Sequence, residues 1–337
     1  MNEATRPLAF GGSGPIGGLG PGLIWGLDFG EGQTRPVTDC EAPAAGQFRW
    51  LHLNLADHGT QRWIGDHAGL PSTVRDLLLA AETHQRALVD EGIVACVIHD
   101  FERDFDVADT ARVGALRVAL TPSLMLTCRL HPLRSADIAK GRLMRGAASI
   151  TPPQALELLV GAIGDNIADI SRSLSTDVQR AEDAFLDGHH PPTARNLIGI
   201  RRRLAQIHRL LSGMRGVFQR LEQDEELPDS LLPTVEKIAQ RLQSLDGDIM
   251  GVQAQLRLLR EELDIQESQR TNQNLYMLSI VTALMLPATL VTGIFGMNTG
   301  GLPFADGPYG TVHATMLATG AAASTYMLLR WLGFMKR

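Results

Sequence analysis

The stretch LYMLSIVTALMLPATLVTGIF, residues 275–295, runs straight into Gly296-Met297-Asn298, and its reading decides the fold. It is uncharged and has about the 20 residues a helix needs to cross the hydrocarbon core of a bilayer. A second apolar segment, roughly Gly310 to Leu332, follows a loop of about a dozen residues. From Thr271 to Leu329 there is no Lys or Arg, and Asp306 is the only acid. The pattern predicts a membrane hairpin with spans at about 275–295 and 310–332.

Working back toward the N-terminus, no helix breaker of consequence separates Pro233 from Pro287. One helix from about Leu232 to Phe295 is therefore expected, ~95 Å long at 1.5 Å per residue. Two shorter helices precede it. Pro152-Pro153 opens one that runs to about Leu186 and is broken by Gly188-His189-His190-Pro191-Pro192; the next spans Thr193 to about Glu222 and ends before Leu227-Pro228. Apolar residues recur at helical spacing along it, at Leu197, Ile200, Leu204, Ile207 and Leu211. Before Leu133 the pattern is mixed. Runs rich in β-branched and aromatic residues, at 23–29, 48–53, 87–90, 92–99, 113–120 and 124–130, read as strands, with helical pieces at 60–67 and 72–81. The fold class is α+β: a cytosolic α/β head plus long helices, joined to a two-helix transmembrane hairpin. The expected divisions are a flexible leader over 1–22, an α/β domain over 23–133, a helical domain with its stalk over 134–270, and the hairpin over 271–337.

Composition narrows the function. The net charge of -6 argues against a nucleic-acid partner, whose phosphates call for a basic face. Cys40, Cys96 and Cys128 form no CxxC pair and read as buried thiols in a reducing cytoplasm. No apolar h-region stands behind a basic start in the first thirty residues, so no secretory signal is expected. Gly12-Ser13-Gly14-Pro15-Ile16-Gly17 fits the dinucleotide fingerprint formally but lacks the strand before it and the helix after it. Arg270 precedes the hairpin and Arg330, Lys336 and Arg337 close it, while the loop carries no positive charge. Both termini are then cytoplasmic and the loop external, in an inner membrane. Tyr276, Tyr309 and Trp331 fall near the interfaces, where amphipathic rings are favoured.

Within the first span Asn272, Leu275, Ser279, Thr282, Leu286, Thr289, Gly293 and Gly296 are spaced 3,4,3,4,3,4,3, a 3.5-residue repeat. Such a repeat holds one face of a helix against partner helices in a left-handed bundle. This face carries an amide, hydroxyls and glycines amid Val, Ile, Leu, Met and Ala, and polar groups at membrane depth face protein or water. Two spans cannot enclose a channel, so a pore needs several copies about an axis. Oxygen rings without full charge suit a hydrated cation, and Leu275 and Leu286 would form apolar collars that gate by dewetting. Small and polar residues also glue helices together without any pore.

The turn Phe295-Gly296-Met297-Asn298-Thr299-Gly300-Gly301-Leu302-Pro303 resembles the signature loop of the CorA superfamily of divalent-cation transporters, and Thr-Gly-Gly-Leu-Pro looks most like its ZntB-type zinc branch. The resemblance covers nearly the whole chain in order of elements, but in sequence it is sharp only over about Leu286 to Pro303. It implies a homopentamer and places the outer ion site on Gly296, Met297 and Asn298, with Asn298 offering an amide oxygen to a hydrated cation. One departure is plain: magnesium-type members carry an acid soon after the loop proline, and here Phe304 follows Pro303. Asp306, the only nearby carboxylate, is either an acidic ring that concentrates cations or a solvated loop residue.

The implied cargo is a divalent cation, zinc first, with magnesium, cobalt or cadmium as alternatives, and no prosthetic group. Zinc favours nitrogen and sulfur ligands. His313, just inside the second span, and His189-His190 are the candidate ligands, and none belongs to a visible tetrahedral set. No nucleophile, base and oxyanion set can be assembled from the motifs, so an enzyme is not expected. The competing readings are a CorA-type magnesium or cobalt channel and a membrane-anchored sensor or scaffold without transport. Arg201-Arg202-Arg203 reads as a solvated helix face. Asp246, Asp248 and Glu261, along the long helix, read as solvated acids or as an electronegative funnel for cations.

Overall fold

The computed structural model describes residues 22–30, 33–37, 46–66, 70–103, 112–146, 150–187, 194–297 and 309–334. The expected leader up to residue 21, Cys40 and His189-His190 lie outside them. The chain divides into two compact units, Met1–Arg257 and Leu258–Arg337.

In the first unit, strands β1 (Leu23–Gly30), β2 (Gln33–Pro36), β3 (Phe48–Asn54), β4 (Arg86–Asp90), β5 (Ile93–Phe101), β6 (Val113–Leu120) and β7 (Leu124–Arg129) form one sheet in the order β2-β1-β3-β7-β6-β5-β4. Neighbours are antiparallel except β3 and β7. A parallel pair needs a long crossover, and the chain between β3 and β7 supplies helices α1 (His58–Asp66) and α2 (Ser72–Leu79). The β4–β5 hairpin turns at Glu91 (φ 51°) and Gly92 (φ 73°). Two successive positive φ values are what a two-residue hairpin requires to match the strand twist.

Alternation along the strands sends Leu51, Leu53, Ala95, Val97, Ala119, Leu126 and Cys128 to the face covered by Trp63, Ile64, Val74, Leu77 and Leu78 of the two helices. Cys96 and Cys128 are free and buried, as expected, and burial pushes both thiols up to about 12.

Two buried polar groups fasten the rest of the sheet. The Asp100 carboxylate, at the end of β5, accepts hydrogen bonds from the Ser135 backbone N–H (2.9 Å), the Ser135 hydroxyl (2.8 Å) and the Phe101 N–H (2.8 Å). Ser135 lies in the first turn of α3 (Arg134–Gly146), so Asp100 anchors that helix to the sheet. Burial raises its pKa to about 6 against the pull of those bonds.

His52 stacks on Trp25 at 5.2 Å and is held by two neighbours. Its Nδ1 lies 2.9 Å from the Thr127 hydroxyl, and its Nε2 accepts from Arg129 Nε at 3.1 Å. The ring is therefore the neutral Nδ1–H tautomer, and burial first, then Arg129, lowers its pKa to about 3.

Beyond the sheet the chain is helical: α4 (Pro152–Leu186), α5 (Ala194–Glu222), α6 (Leu232–Phe295) and α7 (Gly310–Trp331). Pro152 and Pro153 occupy the first turn of α4, where a missing N–H costs nothing, and Gln154 Oε1 accepts from the Thr151 N–H at 2.9 Å. In the first unit α6 buries Val235, Ile238, Leu242, Ile249, Val252 and Leu256 along one stripe. Asp246, four residues after Leu242 and three before Ile249, falls on the same stripe and is buried.

Candidate ion-permeation site

From Leu275 to Phe295 the long helix changes character. None of its apolar window is buried, and Leu275, Met277, Leu278, Met285, Leu286 and Leu290 are all more than half exposed. A helix apolar on every side demands an apolar surrounding, lipid or other helices. Among the described residues α6 is the one helix long and apolar enough to cross a membrane. The second expected span is a 22-residue helix, α7, long enough but diluted by Thr311, His313, Thr315, Thr319, Ser324 and Thr325.

Hydroxyls along the apolar part of α6 and along α7 bond to their own helix, as a bilayer demands. On the expected pore face Ser279, Thr282 and Thr289 each donate to the carbonyl four residues back, Leu275, Leu278 and Met285, at 2.8, 2.9 and 2.8 Å. On α7 Thr315, Thr319, Ser324 and Thr325 do the same at 2.8 to 2.9 Å, and His313 Nδ1 donates to the Tyr309 carbonyl at 2.8 Å. Because each hydroxyl spends its only hydrogen on its own helix, the oxygen keeps a lone pair directed away from it. Such a group offers an acceptor and no free donor, which suits a cation or the water around one. Asn272, Leu275, Ser279, Thr282, Leu286, Thr289 and Gly293 are all exposed on this helix.

Pro287 lies inside α6 without ending it. Its missing N–H deprives the Ala283 carbonyl of its usual partner one collar-residue away from Leu286. At the helix end the Gly296 N–H donates to the Thr292 carbonyl (2.9 Å) and the Met297 N–H to Ile294 (3.2 Å). A Cβ on Gly296 would stand 3.2 Å from the Thr292 oxygen, closer than an ordinary van der Waals contact. Met297 is exposed. Asn298 and Asp306 lie outside the described residues.

The sequence reading needs one correction. The sequence pattern places Asp246 with Asp248 and Glu261 as a solvated or funnel acid, whereas its carboxylate is 8% exposed and engaged on both oxygens, by His208 Nδ1 at 2.7 Å and Arg215 Nη1 at 3.0 Å. It is a clamp between α5 and α6; an acid on an otherwise apolar stripe is the signal that marks it in the sequence. Asp248 and Glu261 are exposed. No three His, Cys, Asp or Glu side chains converge into a metal site among the described residues.

A mixed-sheet unit whose chain runs on into a long helix with an unburied apolar end fits a membrane-embedded protein. The model of the family described as "CorA-like Mg2+ transporter protein" matches residues 45–334, and the chain belongs to that family. It is accordingly a divalent-cation transporter and not an enzyme. It is 28% identical over 297 residues to the "Divalent cation transporter CmaX" of Pseudomonas aeruginosa, covering 84% of this chain and 87% of that protein. It is 26% identical over 288 residues to the "Zinc transport protein ZntB" of Pectobacterium atrosepticum, covering 83% and 86%. The solved structure of full-length CmaX superposes with a TM-score of 0.73 at 23% identity, over 92% of this chain and 98% of that one, which shows a shared fold.

Proposed function

We propose that this chain moves zinc across the inner membrane through a homopentameric pore built from two-span subunits, both termini being cytoplasmic. The observation that carries the reading is the stripe on α6: at a 3.5-residue repeat in an otherwise lipophilic helix, every serine and threonine hydroxyl is self-bonded and keeps an outward oxygen. Five such stripes around an axis would form stacked rings of neutral oxygen ligands, interrupted by collars at Leu275 and Leu286. The internally bonded hydroxyls of α7 support its role as the second span, and the groove along Thr311, Thr315, Thr319, Gly320 and Ala323 is the kind of small-residue face on which membrane helices pack closely. The domain division at 23–133, 134–270 and 271–337 belongs to the same proposal.

Ion choice is assigned to Gly296, Met297 and Asn298 at the pore mouth. Asp306 stands in the outer loop, and His313 is an auxiliary site. Zinc is favoured by the Thr-Gly-Gly-Leu-Pro continuation and by the relatives named as zinc transport proteins. A magnesium or cobalt channel is the second reading, favoured by the family's own description. Uptake of zinc, magnesium, cobalt and cadmium into proteoliposomes, with and without a pH gradient, decides between them. Zinc uptake exceeding magnesium uptake at equal concentration supports the proposal. Magnesium flux with no zinc flux replaces it with the second reading, and absence of all flux in assembled protein rejects both pore assignments.

A further inference from the structure

The first unit holds a cavity of about 1170 Å3 between α5 and the β5–β6 side of the sheet, and its charge is opposite to that of the chain. The protein as a whole carries -6. Among the described residues Arg117, Arg202, Arg203 and Arg209 line this cavity, with Glu102 the one carboxylate. Two members of the arginine run read from the sequence as a solvated face, the exposed Arg202 and the half-buried Arg203, border this cavity. Residues 199, 202, 203, 206, 209, 210 and 213 form the α5 wall, a single helical face.

Arg117 is the unusual member. It lies on β6 between Ala115 and Ala119, on the inward face opposite Val97, and is 1% exposed. Its Nη2 donates to the carbonyl of Ala80, the last residue of the α2 cap, at 2.8 Å, but its Nε and Nη1 are buried with no hydrogen-bond partner. A guanidinium has five donors in a planar fork, and leaving two buried and unbonded is costly. Burial lowers its pKa from the ordinary arginine value, the direction expected of a cation short of counter-charge. Gln85 adds a buried Oε1 without a donor, its Nε2 being taken by the Leu210 carbonyl at 3.1 Å. The cavity therefore displays unsatisfied donors, a spare acceptor and concentrated positive charge.

A divalent cation would be repelled by this wall, and no trio of metal ligands forms among the described residues although His84, His99 and His131 border the space. Forked guanidiniums match phosphate oxygens two at a time. The volume is that of a site for a small molecule and not for a single ion. We infer that this cavity binds a soluble oligophosphate, a pyrophosphate or nucleoside di- or triphosphate, with Arg117 at its base and Arg202 and Arg209 at its exposed wall. The transporter would then carry a site for phosphorylated metabolites apart from the membrane helices, resting on none of the assignments made for the pore.

The test is calorimetric titration of the full-length protein in lipid nanodiscs, in metal-free buffer, with inorganic pyrophosphate and with ATP. Two variants separate the site from the fold. Arg202→Gln with Arg209→Gln removes charge at exposed positions; Gly199→Phe fills the cavity from a position where an added Cβ meets nothing within 4 Å. The expected result is saturable pyrophosphate binding that weakens with added salt, falls at least tenfold in the double variant, and is lost on filling. ATP binding ten times tighter than pyrophosphate supports a nucleotide as the occupant, and equal affinities support the oligophosphate itself. No binding by the wild-type protein, or the same affinity in wild type and both variants, overturns the proposal.

Discussion

Replacing Asp246 by Asn tests whether the acids of the long helix act on ions or on packing. The carboxylate is 8% exposed and receives His208 at 2.7 Å and Arg215 at 3.0 Å, each about one-third exposed. Asparagine keeps the shape but loses the charge, and its NH2 must face one of two donors. Hydrogen bonds to charged groups contribute about 1.5–3 kcal/mol each when buried. The exposure of both partners roughly halves this through solvent screening. The loss is then about 2 kcal/mol, and a unit of this size shifts by roughly 2–4 °C per kcal/mol. Thermal denaturation of purified full-length protein should show the melting temperature of Asp246→Asn lowered by about 4–8 °C, while Asp248→Asn, at an exposed position, changes it by less than about 1 °C. Flux into proteoliposomes at low and at high ionic strength supplies the second readout. A funnel acid acts through a field that fades over ~8 Å at physiological salt, so its loss would lower flux more at low salt. The expected ratio of fluxes is unchanged. An unaltered melting temperature together with a salt-dependent flux defect would refute the clamp and return Asp246 to the funnel.

Three further outcomes are expected. Asn298→Ala abolishes transport or broadens ion preference with assembly intact, checked by competitive metal uptake on protein of verified oligomeric state; unchanged uptake and selectivity reject the turn as the ion site. Thr282→Val together with Thr289→Val lowers flux several-fold without loss of stability, because each hydroxyl bonds only its own helix; unchanged flux would reduce the stripe to helix packing. The third concerns pH. His52 is held at about 3 when folded and 6.5 when free, so as pH falls below 6.5 the unfolded chain takes the proton first and stability drops by about 1.4 kcal/mol per unit. Asp100, at about 6 folded against 3.8 free, takes its proton first in the folded state and opposes that loss between about 6 and 4. Relative to wild type, His52→Phe should therefore gain stability on acidification from pH 6.5 to 4.5, and Asp100→Asn should lose it, measured as melting temperature against pH. Parallel curves for all three proteins would contradict both assignments.

What the sequence disclosed follows from how local each signal is. The bounds of β6 and α6 are readable because an apolar run between turn residues, or 64 residues between breakers, is a local pattern. β2 was missed: Gln33–Pro36 has no buried residue and pairs only with β1 at the sheet edge, so it carries no alternation to find. α3 was merged into a general helical region, though Ala136, Ala139 and Leu143 bury at helical spacing. The Asp246 clamp depends on the packing of α5 on α6, joining residues 31 and 38 positions apart. Even so, an acid on the stripe of Leu242 and Ile249 and an arginine between Ala115 and Ala119 on an inward strand face are local violations of pattern. The first marks the clamp between α5 and α6, and the second the arginine at the base of the cavity.

The two halves of the pore proposal have separable consequences. The α6 stripe offers only neutral oxygens, alike for every divalent cation, and lacks the nitrogen or sulfur donors that would single out zinc. Its hydroxyls can lower the barrier for a hydrated ion to pass but cannot rank one such ion above another by ligand type. Preference must therefore arise where the ion meets a ring of stronger or more tightly spaced ligands, and the proposal assigns that ring to Asn298, which follows the turn in which the Gly296 N–H closes on the Thr292 carbonyl. Changes along Ser279, Thr282 and Thr289 should then alter rate at constant ion preference, and changes at Asn298 should alter preference. If a stripe variant shifted the zinc-to-magnesium ratio while Asn298→Ala left it untouched, selectivity would belong to the shaft of the pore and not to its mouth.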